Sequence, residues 1–301
     1  MVDQFLWVLQ NFALAPYHLF VAITNPQLWL AWGDREALAR FMYYGASVEL
    51  FFVFLTSFLV LTAVGLWRPG FMWGSVRVLE RVANTVGRVM AWTGLVMVLQ
   101  QIVIVFMQRV FAASEISLGF GAAFSFDVSW WAESLKLHNA IIICLCVAYT
   151  FVQDGHVRVD LVYSAVSHRA KRIIDMLGCI VFMIPMGVII WLYGWFFMWR
   201  SLVVPNPAAS STLDRMLMQS RALRWNVETI GFSPNGFNAY FLFKILIVAF
   251  ALMVLMQAVS FFWRSLMELR EGEESAGRYR DRDVLGDEAE TIAHDIHSGA
   301  T

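Results

Sequence analysis

Cysteine, proline and charge are all in short supply in this 301-residue chain. Three cysteines cannot build the dense framework of a small secreted disulfide scaffold, and seven prolines exclude collagen-like and proline-rich architectures. Charged residues make up 15%, against about 25% in an average soluble domain, too few to cover a globule of this size. A net charge of −1 supplies no basic field for nucleic acid, so none is expected as a partner. Cys144, Cys146 and Cys179 fall inside apolar runs without further ligands at metal-binding spacing, so they are read as buried small hydrophobes and no metal is expected. A nucleophile elbow, a phosphate-cradling glycine loop and paired histidines within apolar runs are also missing, so neither an enzyme nor a cofactor is expected.

What is abundant is apolar side chain. Hydrophobic residues reach 59%, with 13 Trp, 25 Phe and 15 Met, and the mean hydropathy is +0.62. This composition implies an all-α, polytopic integral membrane bundle. A spanning helix needs about 20 largely apolar residues, and five stretches qualify: Leu50 to Trp67, Met90 to Gln108, Leu135 to Val152, Met176 to Trp199 and Asn238 to Trp263. Phe5 to Trp32 is apolar too, but Asn11, Pro16, His18, Asn25 and Pro26 interrupt it. It reads as helices lying in the interface or re-entering, with a sixth span as the alternative. Asn25-Pro26 and Asp34 look like helix starts, the second opening a short helix through Phe41. From Glu268 to Thr301 the chain is polar and without periodicity, which suggests a solvated, mobile tail.

Basic residues fix the expected orientation. Placing loops 68–89 and 153–175 and the tail in the cytoplasm puts thirteen Lys and Arg inside and five in the two loops outside. The C-terminus is therefore expected to be cytoplasmic, with lipid headgroups contacting the basic loops. Glu49, Lys136 and Lys244 then sit near the outer ends of their spans. Lysines at that depth are costly unless they snorkel or find a carboxylate, so Lys244 is expected to pair with Glu49 or with an acceptor on another chain, and Lys136 has Glu133 within reach. In the outer loop, Ser211 and Thr212 can cap a short helix in which Leu213, Met216 and Leu217 share one face. Arg215, Arg221 and Arg224 would then be available to a soluble partner.

After the third span, His156, Arg158 and Asp160 alternate with Val157, Val159 and Leu161, which on its own terms reads as an interfacial turn against anionic headgroups. Taken with Ser129-Trp130-Trp131-Ala132-Glu133 before that span, Gly155-His156-Val157-Arg158-Val159-Asp160 after it and His168-Arg169-Ala170-Lys171-Arg172 beyond, it resembles the small membrane subunit of tripartite ATP-independent periplasmic (TRAP) transporters. The likeness covers about residues 82–270, between an N-terminal extension (1–81) and the tail (271–301). Gly155 and His156 are adjacent, one residue tighter than the family pattern, and Glu133 is followed by Ser134 where many relatives carry a second acid. The resemblance implies a sodium-coupled importer of organic acids in a bacterial inner membrane, with a periplasmic substrate-binding protein and a large permease subunit as partners. The small subunit would be a scaffold, with Trp131, Glu133, Gly155, His156, Arg158 and Asp160 as structural or interface residues. A structural or assembly subunit of another membrane complex, for example a respiratory one, is the alternative.

Overall fold

The computed structural model describes residues 2–119, 123–153, 166–219, 222–223 and 235–281. It is all-α and polytopic. Six helical stretches are long and apolar enough to cross a membrane: α1 (Val2–Thr24), α4 (Val48–Trp67), α5 (Pro69–Val105, prolonged by a π turn to Val110), α6 (Val128–Val152), α7 with α8 (His168–Gly178 and Ile184–Leu202, joined by the π turn Cys179–Met183), and α10 (Phe241–Glu271). Between them lie the short helices α2 (Gln27–Leu30), α3 (Arg35–Tyr44) and α9 (Leu213–Met218). A hairpin, β1 (Glu115–Gly119) with β2 (Ala123–Asp127), joins α5 to α6, and a second small ladder pairs β3 (Val203–Val204) with β4 (Ala222–Leu223).

At the N-terminus the expected breaks at Asn11, Pro16 and His18 do not form, and the helix that replaces them is long enough for the alternative of a sixth span. Residues 2–24 form one continuous helix that raises the number of candidate spans to six. The polar interruptions are absorbed inside it. Asn11 Nδ2 donates to the Trp7 carbonyl 2.8 Å away, and Pro16 removes only one main-chain donor. Asn25 bonds back to the Val21 carbonyl and to Thr24 Oγ1, so it closes α1 instead of opening α2. The Asp34 start does form: its carboxylate accepts from the Glu36 and Ala37 amides and opens α3.

The arginine-bearing stretch 68–89, expected as a loop, is helical and continuous with the second span. Met72, Val76, Glu80, Ala83, Asn84 and Gly87 recur at three- and four-residue spacing and are all buried, which makes the stretch one face of a helix despite its charge. At 37 residues and about 1.5 Å per residue, α5 exceeds a hydrocarbon layer of about 30 Å, so its first turns lie beyond that layer.

Helix α10 is the core. Of its most apolar stretch 39% is buried, against 6–11% for the other five, because α5, α6, α7 and α8 all pack on it. Close approaches are made at glycines. A Cβ on Gly87 of α5 would lie 2.2 Å from Tyr149 of α6, and one on Gly187 of α8 would lie 2.7 Å from Leu255 of α10. The N-terminal extension is joined to this core, with α4 packed on α5 and touching α10 through Phe58 and Thr62, and α1 meeting α4 through Trp7 and Phe12 on Phe52.

Candidate functional site

Polar and charged groups collect at the two ends of the bundle, and each end has its own chemistry. At the first, which we term the aromatic end, Trp191, Trp195 and Trp199 recur one turn apart on α8 and form a ridge. Helix α3 lies on it. Trp195 Nε1 donates to the Met42 carbonyl at 2.9 Å and Trp191 Nε1 to the Gly45 carbonyl at 2.8 Å. Phe41 fills the space beside Trp195 and Trp199. Gly45 is required there, since a Cβ would fall 2.0 Å from the Trp195 ring. On Tyr44, burial first and the Glu49 carboxylate second push the hydroxyl above its usual range.

The short helix expected after Thr212 is present. Thr212 Oγ1 accepts from the Arg215 amide at 3.4 Å, Met216 is fully buried and Leu217 packs against the same cluster, while the Arg215 side chain is exposed. Arg221 and Arg224 lie outside the described residues. Lys244 faces protein, as anticipated, but not Glu49: it donates to Ser201 Oγ and stands 4.6 Å from the centre of the Phe197 ring. Glu49 is half-buried in the first turn of α4 and forms no ion pair among the described residues. Ser201 and Phe197 are nearer because α8 and α10 pack directly, whereas α4 meets α10 only toward its other end.

On α6 the aromatic end carries Trp131 and Glu133. Asp127 caps the helix, and the Ser129 amide followed by the Ser129 hydroxyl, both at 2.8 Å, holds its carboxyl below the usual range. Glu133 Oε2 accepts from the Phe237 amide at 2.9 Å, tying the segment before α10 to α6. Trp130 assists, with its ring on Phe237 and its Nε1 donating to Asn238 Oδ1 at 3.4 Å. Trp131 packs with Ile104, Ile116 and Val128, and its carbonyl and Ser134 Oγ both accept from Gln100 Nε2. Lys136 is exposed and makes no pair with Glu133. Gly155, His156, Arg158 and Asp160 lie outside the described residues.

The opposite, ionic end holds a cluster that the sequence reading missed. Arg264, 1% exposed, donates through Nε and Nη2 to both oxygens of Glu80 at 2.6 Å, a bidentate bridge between α10 and α5. It also stands 3.4 Å from Glu268, whose other oxygen lies 2.7 Å from Arg172 Nη2 on α7, close but off the hydrogen-bonding direction. Arg172 bonds Asp175 one turn further along. The chain after α10 turns back over this cluster instead of leaving it: the Gly277 amide donates to Glu268 Oε1 and Arg264 to the Arg278 carbonyl. Asp281 is held by Asn84 and Arg88 of α5, and its carbonyl by Gln153 at the end of α6. The tail expected to be free from Glu268 is therefore packed as far as Asp281, and 282–301 lie outside the described residues. The signal was available in the pattern, because Glu80 keeps helical register with Val76 and Ala83, and Arg264 and Glu268 are four apart.

Among the described residues no group of three His, Cys, Asp or Glu side chains is placed to hold a metal ion. The arrangement offers an ionic clamp across three helices at one end and a hydrogen-bonded aromatic seat at the other. Compared with known proteins, the chain matches no family model, no curated protein and no solved structure.

Proposed function

We propose that this chain is the small scaffold subunit of a sodium-coupled, binding-protein-dependent importer of organic acids, bracing a large transport subunit in the bacterial inner membrane. The observation that carries this reading is the placement of charge: every described ion pair lies at one end of the bundle or the other, and the stretches between are apolar, with much of their surface open. That layout suits a rigid body seated among lipids and a membrane partner. It does not suit a conduit, which lines its path with several ionisable groups at mid-membrane depth; among the described residues Lys136 approaches that depth, and it stands on the open face of α6. The TRAP-like motif in the first turns of α6 supports it further, because Trp130 and Glu133 pin the segment leading into α10. Six crossings would put both termini on one side, and the excess of Lys and Arg in the stretches 68–89 and 153–175 and in the tail supports the cytoplasm as that side.

The test is purification of the tagged chain from its native membrane in mild detergent. A large polytopic subunit and a periplasmic solute-binding protein should accompany it, and the chain alone in liposomes should show no sodium-dependent uptake. Uptake by the single chain overturns the scaffold reading, and a respiratory or other complex as the co-purifying partner overturns the importer reading. A reporter fused after Asp281 should read cytoplasmic; a periplasmic readout reverses the orientation.

A further inference from the structure

The open side of α6 is polar where a membrane helix is normally apolar. Along Val128–Val152 the exposed residues are Lys136, Asn139 and Ile143, spaced three and four apart, so they form a single stripe. Other sides of the helix meet its neighbours. Ser134, Ile142 and Tyr149 meet Gln100, Gly94 and Gly87 of α5, and Ala148 and Val152 pack with Met253 of α10. The helix has 25 residues, about 37 Å at 1.5 Å each, so its midpoint at residue 140 falls near the centre of a hydrocarbon layer of about 30 Å. The Trp130–Trp131 pair suits an interfacial belt and puts the centre at the same place, about ten residues further on.

Asn139 therefore lies near the bilayer centre, with Lys136 about 4.5 Å away along the axis. Neither has a hydrogen-bond or ion partner among the described residues. Lys136 can extend its stem toward headgroups, but an asparagine side chain is too short to do so. A bare amide at that depth is unfavourable, and an interhelical hydrogen bond relieves it.

We propose that the Lys136–Asn139–Ile143 stripe seats one transmembrane helix of a membrane partner, with an Asp or Glu facing Lys136 and a hydrogen-bonding side chain facing Asn139. This rests on reading the chain as a subunit of a larger membrane complex. Lipid is the poorer occupant, because a headgroup reaches Lys136 and leaves Asn139 unmet. A second copy is poorer still, because a two-fold axis along the membrane normal would set Lys136 against Lys136 at equal depth.

The test uses the complex as purified from its membrane. A photo-crosslinking residue at position 139 or 143 should join the chain to a partner segment that mass spectrometry maps to a transmembrane helix carrying Asp or Glu. The same residue at the exposed Phe182 of the π turn should give no such adduct. Lys136→Leu with Asn139→Leu should leave the amount of chain in the membrane unchanged and lower partner recovery about tenfold. Lys136→Glu should do the same and be rescued by a lysine at the mapped acid. An adduct at 139 with lipid alone or with a second copy overturns the proposal. A large importer subunit that stays bound to the Leu variant overturns this interface and leaves the importer reading standing. A mapped acid-bearing helix from a respiratory or other complex upholds the interface and overturns the importer reading.

Discussion

The two ends of the bundle hold their helices together by opposite means. At the aromatic end α3 is fastened to α8 by indole N–H groups on main-chain carbonyls and by rings packed at centroid distances of 5–6 Å. At the ionic end α5, α7 and α10 are fastened by buried carboxylate–guanidinium contacts, with main-chain groups after α10 adding bonds to Arg264 and Glu268. The difference follows from where each can be tolerated. Neutral donors and rings tolerate the graded polarity of an interface. A fully buried charge is tolerable only when its partners surround it, so the ionic end depends on the completeness of its set. One end should lose stability gradually as contacts are trimmed, and the other all at once.

Breaking the clamp is the strongest test. Glu80→Ala leaves Arg264 buried without its bidentate partner and should cost about 3–5 kcal/mol, read as a large drop in melting temperature of the purified chain. Glu80→Met with Arg264→Met should recover most of that loss; no recovery would mean that packing, not charge, holds this end. At the aromatic end the largest effect should come from Gly45→Ala, whose new methyl must displace the Trp195 ring, at about 1–3 kcal/mol. Trp195→Phe keeps a ring but removes the bond to the Met42 carbonyl and part of the indole packing, so it should cost about 1–2 kcal/mol, with the α3 amides exchanging faster in a hydrogen-exchange experiment. If it proves as damaging as Glu80→Ala, the contrast between the ends fails.

The smallest effect concerns pH. Asp127 has its pKa lowered by the Ser129 bonds, so its contribution is complete above the ordinary carboxylate value and fades as pH falls through the lowered one. Asp127→Asn retains capping ability and cannot ionise, so it should abolish that acid-limb dependence while changing stability at neutral pH by less than about 1 kcal/mol. A dependence that survives in the variant points instead to the ionic end.

Much of this layout was legible in the residues. The apolar runs located the cores of α4, α5, α6, α8 and α10, and Asp34 and Thr212 marked helix starts because a cap is a contact within four residues. What misled was charge and punctuation. Asn11 and Pro16 read as breaks, yet a helix carries one proline and an asparagine bonded to its own backbone. Arg77, Arg81 and Arg88 read as a loop, although they stand on the exposed side of a helix whose buried face continues through the same stretch. Lys244 drew attention to Glu49, the acid at comparable depth, but depth says nothing about which helices are neighbours.

Composition and hydropathy by themselves determined that the chain is an all-α polytopic membrane protein, because each run must satisfy its own backbone hydrogen bonds in lipid, a requirement local to the segment. Tertiary structure alone decided which charges share a site. Glu80 and Arg264 stand 184 residues apart, and Asn84 meets Asp281 across 197. Such pairings depend on the order in which α4, α5, α6 and α8 surround α10. That order is set by glycine contacts and side-chain shape summed over many helix faces, and no short window of sequence contains it.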